Sequence, residues 1–304
     1  MPATRASAGS RARPETPDSG DAPLTSKENR WLKRFRAALS GDSGEPHLYG
    51  IEGPHLVEEA LRSGAAIEAI LASPSGEKHL AGLGLASLPA APASSQPRVF
   101  RTTDRLFAHV AGTETPQGLA ALVRLREYAF EDLVRGVPLV VVLVGVQDPG
   151  NVGTIVRSAE AFGATGVVAA AESASPYGPK AMRASAGSVF RVPIVPRAQV
   201  PILLAQLRVA GVRIVATATA PAPAASAAPL LEPQNFPWRE PVALLVGSEA
   251  RGLPDSVVRS ADATIRIALS APVESLNAAV AASVLLYEAA RQRSAFAAGE
   301  KSAP

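Results

Sequence analysis

The feature that most constrains the fold of this sequence is an apolar run that leads through a tight loop into a helix, within residues 139–163. The run 139–144 reads LVVVLV, which is typical of a parallel strand buried on both faces. Pro149 then indicates a turn, and Asn151 is placed to cap the helix that follows. Asn151 and Arg157 are the polar groups of this junction, so we expect it to carry chemistry.

A dinucleotide site is the first alternative, because a glycine-rich loop between a strand and a helix is how such sites hold a pyrophosphate. The glycines here are Gly145, Gly150 and Gly153, whose spacing is not G-x-G-x-x-G. No phosphate-binding loop of the G-x-x-x-x-G-K-[ST] type follows any expected strand. The pattern therefore disfavours both nucleotide-binding classes.

Composition indicates a soluble globular protein with room for two domains. The chain has 304 residues, of which 47% are hydrophobic and 19% are charged. It contains no cysteine, which excludes disulfides, zinc–thiolate sites and cysteine nucleophiles, and its four histidines are scattered. No uninterrupted apolar run reaches membrane-spanning length. We therefore expect no metal, no membrane segment and a cytoplasmic location.

Charge is concentrated in one short segment near the amino terminus. The net charge is only +3, but five basic residues crowd around Trp31 and Phe35: Lys27, Arg30, Lys33, Arg34 and Arg36. Such a basic amphipathic helix either contacts the phosphates of a nucleic acid or is a solvated surface helix. The preceding residues 1–23 have the composition of a disordered tail, or alternatively of an organellar transit peptide.

Periodicity and turn residues divide the rest of the chain into two α/β units. A small unit is expected over residues 46–125, after a basic helix and linker over 24–45, and a polar linker over 126–137 follows it. From 138 to 296 strands and helices alternate, which predicts a mostly parallel sheet covered on both faces, with a tail over 297–304. The strands of the second unit are expected at 138–144, 166–170, 191–195, 212–217, 242–247 and 264–267, and its last helix at 275–293.

Ligands of such sheets lie beyond the carboxyl ends of the strands, so the loops there matter most. Besides the loop at 145–153, the strand 242–246 ends in GSEARGLP, which projects Glu249 past the strand end. The loop 267–277 carries Ser275 and Asn277, which either cap the next helix or belong to a site. Together the three loops indicate one shared site.

These three motifs resemble those of the SpoU (TrmH) family of RNA ribose 2'-O-methyltransferases. The motifs are N-x-G-x-x-x-R from Asn151, GSE-x-x-G from Gly247, and S-L-N from Ser275 before an alanine-rich helix. Residues 49–63 and 111–125 are similar to the amino-terminal RNA-binding substrate domain of the family. The resemblance implies a trefoil-knotted parallel-sheet α/β domain of the SPOUT class behind that small α/β domain.

The resemblance also implies S-adenosyl-L-methionine as cofactor, held in the knot largely by backbone groups. The positions carried over for this pocket are Thr217, Ala218, Gly247, Ile267 and Leu276. The chain departs from the family pattern at Ala268, Leu269 and Ala279, none of which removes a functional side chain.

The family resemblance assigns catalysis to Arg157. Because arginine side chains have a pKa above about 12, we expect the guanidinium to stabilise the developing oxyanion or an adjacent phosphate, with a phosphate or water as proton acceptor. Asn151 is expected to help fix the loop and to orient Arg157, and Glu249 is expected to pair with or position that guanidinium. Ser275 and Asn277 are expected to bind the target nucleotide or to lock the knot.

The expected partners are RNA and a second copy of the chain. The amino-terminal domain favours ribosomal RNA, of the large subunit, over tRNA, and the helix 275–293 offers either a homodimer interface or core. A non-catalytic RNA-binding assembly factor is the alternative from another class. A small-molecule enzyme is disfavoured because no acid–base pair or nucleophile set is visible.

Overall fold

A computed structural model describes residues 22–85, 97–218 and 228–300, and it contains two α/β units. In the first unit and the linker, the helices and strands are α1 Arg30–Leu39, β1 Leu48–Glu52, α2 Pro54–Arg62, β2 Ala66–Ala72, α3 Glu77–Gly82, β3 Arg98–Arg101, α4 Asp104–Val110, β4 Leu119–Arg124 and α5 Phe130–Leu133. In the second unit they are β5 Leu139–Val144, α6 Pro149–Ala161, β6 Gly166–Ala170, α7 Pro179–Ala184, β7 Ile194–Ala198, α8 Val200–Val209, β8 Arg213–Thr217, β9 Leu230–Leu231, β10 Val242–Gly247, α9 Asp255–Arg259, β11 Ala263–Ile265 and α10 Ala278–Glu300.

The first unit is built on a four-stranded sheet in the order β1-β4-β2-β3, with β2 and β3 parallel and the other pairs antiparallel. Helix α1 packs against it, and Trp31, Leu32 and Phe35 are buried in the same core as Phe100 and Phe107. The helix is therefore part of the packed unit, which differs from the expected linker over 24–45 and from a fully solvated helix.

The second unit is built on a seven-stranded parallel sheet, as the alternation of strands and helices predicts. Its order is β7-β6-β5-β10-β8-β11-β9, so the chain moves outward from β5 to β7 and then crosses to β8. Strand β10 returns between β5 and β8 and pairs in parallel with both. The direction of winding therefore reverses beside β5 and β10, and the loops after these central strands meet there.

Most expected elements are confirmed with shifted ends, and the differences have local causes. The expected strand 191–195 is wrong at its start, because Arg191 ends a 3-10 turn and β7 begins only at Ile194. The last helix begins at Ala278 instead of 275 and extends beyond the expected tail boundary at 297. The linker contains α5, whose Leu133 is buried. Residues 1–21 and 301–304, which belong to the two expected tails, lie outside the described residues.

The sequence does not predict strand β1, because Gly50 interrupts its apolar pattern. A Cβ atom at Gly50 would lie 2.5 Å from the backbone nitrogen of Leu39 and 2.6 Å from the carbonyl carbon of Ala38. The glycine is therefore required by the close approach of α1 and not by a turn. A glycine inside a strand often marks such a close backbone approach.

The carboxyl-terminal helix is held near its end by one arginine. The Arg293 guanidinium donates to the carbonyl oxygens of Trp238 at 2.8 Å and of Val137, Pro138 and Glu240 at 2.9 Å each. Burial lowers the pKa of this guanidinium, and four carbonyl acceptors compensate for the lost water. Helix α10 is thereby fixed to the amino-terminal edge of the sheet.

None of the helices in the described ranges combines the length and apolar character that crossing a membrane requires.

Helices α6 and α7 approach each other closely at Gly153, the glycine of the first motif. A Cβ atom there would lie 2.2 Å from the carbonyl oxygen of Ala181 and 2.7 Å from Cβ of Ala184. We expect Gly153→Ala to lower the free energy of unfolding by about 1–3 kcal/mol, because the overpacking outweighs the better helix propensity of alanine. Denaturant unfolding measures the change.

The matched control is Gly82→Ala in α3, where a Cβ atom meets nothing within 4 Å. This variant should be as stable as the wild type or slightly more stable. Equal stability of Gly153→Ala and the wild type would contradict the close crossing.

Candidate active site

A cavity of about 270 Å³ lies at the carboxyl edge of the parallel sheet, between the ends of β8, β10 and β11 and the start of α10. It is formed where the loops 248–254 and 266–277 face each other. Apolar side chains, including Ile267, Leu269 and Leu276, line one part of it. The cavity therefore stands where parallel sheets place their ligands.

The structure brings together all five positions expected to form the cofactor pocket. The lining includes Thr217, Ala218, Gly247, Ile267 and Leu276. Two of the expected catalytic residues, Glu249 and Ser275, line the same cavity.

Gly247 has a structural reason to be glycine. The loop after β10 folds back on itself, with paired backbone hydrogen bonds between Ser248 and Gly252 of 3.1 and 2.9 Å. A Cβ atom at Gly247 would lie 2.3 Å from the carbonyl carbon of Gly252. Only glycine allows the loop to close against the strand end and to form one wall of the cavity.

A chain of hydrogen bonds joins the three motif loops. The Asn151 amide donates to the Glu249 carboxylate, and the Asn277 amide donates to Oδ1 of Asn151 at 3.0 Å. Oδ1 of Asn277 also accepts from the backbone nitrogens of Ala279 and Val280, at 2.9 and 3.2 Å, and so caps α10. Asn277, which caps the last helix, is therefore also the last residue in the series of hydrogen bonds that crosses the site.

Asp148, and not Asn151, caps helix α6, which corrects the expectation from the sequence. The helix begins at Pro149, and Oδ1 of Asp148 accepts from the backbone nitrogen of Gly150 at 2.9 Å. Lys180 pairs with the same oxygen at 2.8 Å. The hydrogen bonds from Lys180 and Gly150 lower the pKa of Asp148. Asn151 is thereby left free to bridge Glu249 and Asn277.

Arg157 lies two turns further along α6 and outside this chain of hydrogen bonds. Its side chain is exposed, and within the described part of the chain it has no hydrogen-bond or ion-pair partner. The expected pairing of Glu249 with Arg157 is therefore absent from this structure, in which Glu249 faces Asn151. The neighbouring Ser158 contacts Ser283 of α10 at 2.7 Å, so the turn of α6 that carries Arg157 packs against α10 at the α6–α10 seam.

Charged residues that the motif reasoning did not select also line the cavity. Arg251, Asp255 and Glu274 join Glu249, which gives three carboxylates and one guanidinium. Their signal in the sequence was their position on the same two loops or directly after them. The Asp148 cap also had a signal, since an aspartate before a proline is a common start of a helix.

Within the three described ranges, no three metal-ligating side chains gather into a group that could hold a metal ion.

Family models match both units of the chain. The SpoU rRNA Methylase family matches residues 138–287, and the MRM3-like substrate binding domain matches residues 45–121. The 23S rRNA (guanosine(2553)-2'-O)-methyltransferase RlmP of Bacillus subtilis is 32% identical over 267 residues, which are 87% of this chain and 97% of that protein.

Solved structures agree over nearly the whole chain. The AdoMet-bound rRNA methyltransferase from Sinorhizobium meliloti is 30% identical with a TM-score of 0.70, covering 89% of this chain and 97% of that one. The SpoU methyltransferase AviRb from Streptomyces viridochromogenes, in complex with AdoMet, is 26% identical with a TM-score of 0.70, covering 88% and 100%. Sequence, fold and motif geometry together establish that this chain is a member of the SpoU methylase family.

Proposed function

We propose that the protein transfers a methyl group from S-adenosyl-L-methionine to a ribose 2'-hydroxyl of RNA, with large-subunit ribosomal RNA as the substrate. The observation that carries the proposal is the cavity at the carboxyl edge, lined by every position expected to hold the cofactor. The matched relatives named as 23S rRNA 2'-O-methyltransferases support the reaction and the RNA class.

The lining of the cavity suits S-adenosylmethionine in polarity and charge. Ile267, Leu269 and Leu276 provide an apolar slot that suits an adenine ring. The carboxylates of Asp255 and Glu274 give the lining an acidic balance, which suits a ligand with a sulfonium and an ammonium group. The bound cofactor supplies an electrophilic methyl group on its sulfonium.

Arg157 is the catalytic residue in this proposal. A ribose hydroxyl is a weak nucleophile, so the enzyme must stabilise the negative charge that develops on its oxygen. The exposed guanidinium of Arg157 is free to receive that oxygen or an adjacent phosphate, and a phosphate or water takes the proton.

Asn151, Glu249 and Asn277 act as positioning residues. Their hydrogen bonds tie the start of α6 to the cavity loop and to the start of α10. The segment that carries Arg157 is therefore fixed relative to the cofactor cavity. Ser275, which lines the cavity next to Leu276, is left to contact the target nucleotide or cofactor.

The amino-terminal unit favours ribosomal RNA over tRNA, because the relatives that match both units include named 23S rRNA enzymes. An rRNA substrate is consistent with the cytoplasmic location that the sequence analysis expects. A non-catalytic assembly factor is disfavoured, because all five expected catalytic side chains are present: Asn151, Arg157, Glu249, Ser275 and Asn277.

The proposal includes a trefoil knot and a homodimer. The return of β10 between β5 and β8 supports the knotted path expected from the family. An exposed apolar stripe on α10 supports the dimer: Val280, Val284 and Tyr287 are 49%, 41% and 57% exposed. Because the stripe borders the α6–α10 seam, a partner seated there lies beside Arg157.

Wild-type protein should transfer labelled methyl from S-adenosylmethionine to ribosomal RNA purified from a strain that lacks the protein, and not to its tRNA. The label should resist alkali, because a methylated 2'-oxygen cannot attack the adjacent phosphate. Arg157→Ala should lower kcat by about 10²–10³-fold, since it removes the group that stabilises the oxyanion. Cofactor affinity, measured by titration calorimetry, should stay unchanged.

Substantial turnover by Arg157→Ala would reject the role of this arginine. Label in tRNA alone would move the substrate to that class. Absence of both transfer and cofactor binding in the wild type would favour the non-catalytic alternative.

Two substitutions at Asn277 separate its capping role from its positioning role. Asn277→Ala should lower stability by about 1 kcal/mol, because α10 loses its cap, whereas Asn277→Asp keeps a capping oxygen. Both variants lose the amide that donates to Asn151, so both should lower kcat roughly tenfold to a hundredfold. Thermal unfolding and steady-state kinetics measure the two effects. Wild-type kcat in Asn277→Asp would reject the positioning role.

The double variant Val284→Asp, Tyr287→Asp should be monomeric, because two carboxylates cannot be buried unpaired in an apolar interface. Light scattering after size-exclusion chromatography measures the mass. The control is Ile202→Asp on α8, whose side chain is also apolar and is 56% exposed, and it should leave the dimer intact. A monomeric wild type, or a dimeric double variant, contradicts this interface.

A further inference from the structure

Two cavities flank the linker where the two units meet, away from the cofactor cavity. The larger has a volume of about 420 Å³ and the smaller about 170 Å³. They share four lining residues, which are Leu125, Arg126, Tyr128 and Tyr177. We call the two cavities together the linker cleft. Nothing in the proposed methyl transfer uses it.

Three tyrosines surround the linker cleft. The rings of Tyr49 and Tyr177 lie 4.8 Å apart, and Tyr128 lines both cavities. Tyr177 is buried, and its hydroxyl donates to the carbonyl oxygen of Ile194 at 3.3 Å. Tyr49 and Tyr128 are only partly buried. The cleft therefore has two partly exposed aromatic rings, those of Tyr49 and Tyr128, beside the buried ring of Tyr177.

One arginine, Arg126, lines both cavities of the linker cleft. The guanidinium of Arg126 lies 5.1 Å from the ring centre of Tyr128, and its side chain is 69% exposed. Its nearest carboxylate, on Asp132, is 3.8 Å away and is also paired with Arg135 at 2.7 Å. Arg126 is therefore available to a further anion.

A second arginine, Arg197, lies near the smaller cavity and has an unusual backbone conformation. Arg197 has a φ of +56°, in a bulge of edge strand β7, next to Pro196, which lines the smaller cavity. Burial raises the pKa of Tyr49, and the nearby charge of Arg197 opposes that rise. A left-handed conformation is costly for a non-glycine residue, and such strain is concentrated at functional sites.

The wall of the linker cleft is continuous with the loop 145–148, which precedes α6 and which we call the catalytic loop. Ser173 and Ala174 lie just before Tyr177 in the sequence. The Ser173 hydroxyl accepts a hydrogen bond from the backbone nitrogen of Gly145, and the backbone nitrogen of Ala174 donates to the carbonyl oxygen of Val146. Three residues after Tyr177, Lys180 pairs with Asp148 at the start of α6. A strand of RNA that leaves the catalytic loop along this segment reaches the cleft.

We propose that the linker cleft holds an unpaired nucleobase of the RNA substrate, stacked on Tyr128, with Arg126 and Arg197 on the adjoining phosphates. Aromatic faces with neighbouring arginines are the common means of holding single-stranded RNA. The cleft is thus a second RNA contact, which holds a base away from the nucleotide that is methylated. This inference rests on the proposed function for the identity of the ligand.

The test uses the full-length protein and deproteinised large-subunit ribosomal RNA from a strain that lacks it. Filter binding with S-adenosylhomocysteine present measures RNA affinity without turnover. Tyr128→Ala should weaken RNA binding and raise KM by about tenfold, since a base loses its stacking partner, while kcat and cofactor affinity stay unchanged. Tyr128→Phe keeps the ring and should bind as the wild type does.

Arg126→Ala should weaken RNA binding and flatten its dependence on salt, because one phosphate contact is lost. The matched control is Arg105→Ala, on α4 and outside the cleft lining, which should change neither quantity. Thermal unfolding of every variant verifies the fold. Ultraviolet cross-linking followed by mass spectrometry should find RNA on the tryptic peptide that contains Tyr128.

Wild-type RNA affinity in Tyr128→Ala, together with no cross-link at that peptide, would overturn the proposal. The two proposals fail separately. Methyl transfer by the wild type with a neutral Tyr128→Ala rejects the cleft alone. Cross-linking at Tyr128 with no methyl transfer to any RNA retains the cleft and rejects the proposed reaction.

Discussion

The hydrogen bonds between Asn151, Glu249 and Asn277 join the start of α6 to two loops that lie 98 and 126 residues further along the sequence. They form only because the sheet order places β10 beside β5 and returns the chain to α10 at the same edge. Each amide and carboxylate in this chain has its partner, so the loops hold one another in place. The walls of the proposed cofactor cavity and the start of the helix that carries Arg157 depend on this mutual restraint.

Much of the second unit is predictable from the sequence because its strands are buried on both faces. The apolar runs of β5 and β10 leave no alternative to a buried strand, and the expected ends agree with the structure to within one residue. Strand β1 is not predictable in this way. Its Gly50 is required by the close approach of α1, a contact that the local sequence does not reveal. The packing of α1 against the first unit was not predictable for a related reason. Its basic residues are visible in the sequence, whereas the partners of its apolar face are set by packing.

The candidate site is predictable as a set of positions but not as a set of contacts. The family resemblance named Thr217, Gly247 and Leu276 as positions of one pocket, and they line one cavity because loops after adjacent parallel strands meet at one edge. The partner of Glu249 was not predictable, since Asn151 and Arg157 lie on the same helix and only the three-dimensional fold selects between them. The linker cleft was invisible for the same reason, as its tyrosines come from three separate segments.

Arg293 gives the far end of the molecule an influence on the proposed catalysis. Helix α10 is held at one end by the Asn277 cap and near the other by the four carbonyl contacts of Arg293. Because α10 is fixed at these two places, it can neither rotate nor slide. The direction in which its exposed apolar stripe faces is therefore fixed. In the proposed dimer, the orientation of the partner subunit, and with it the surroundings of Arg157, would therefore depend partly on Arg293.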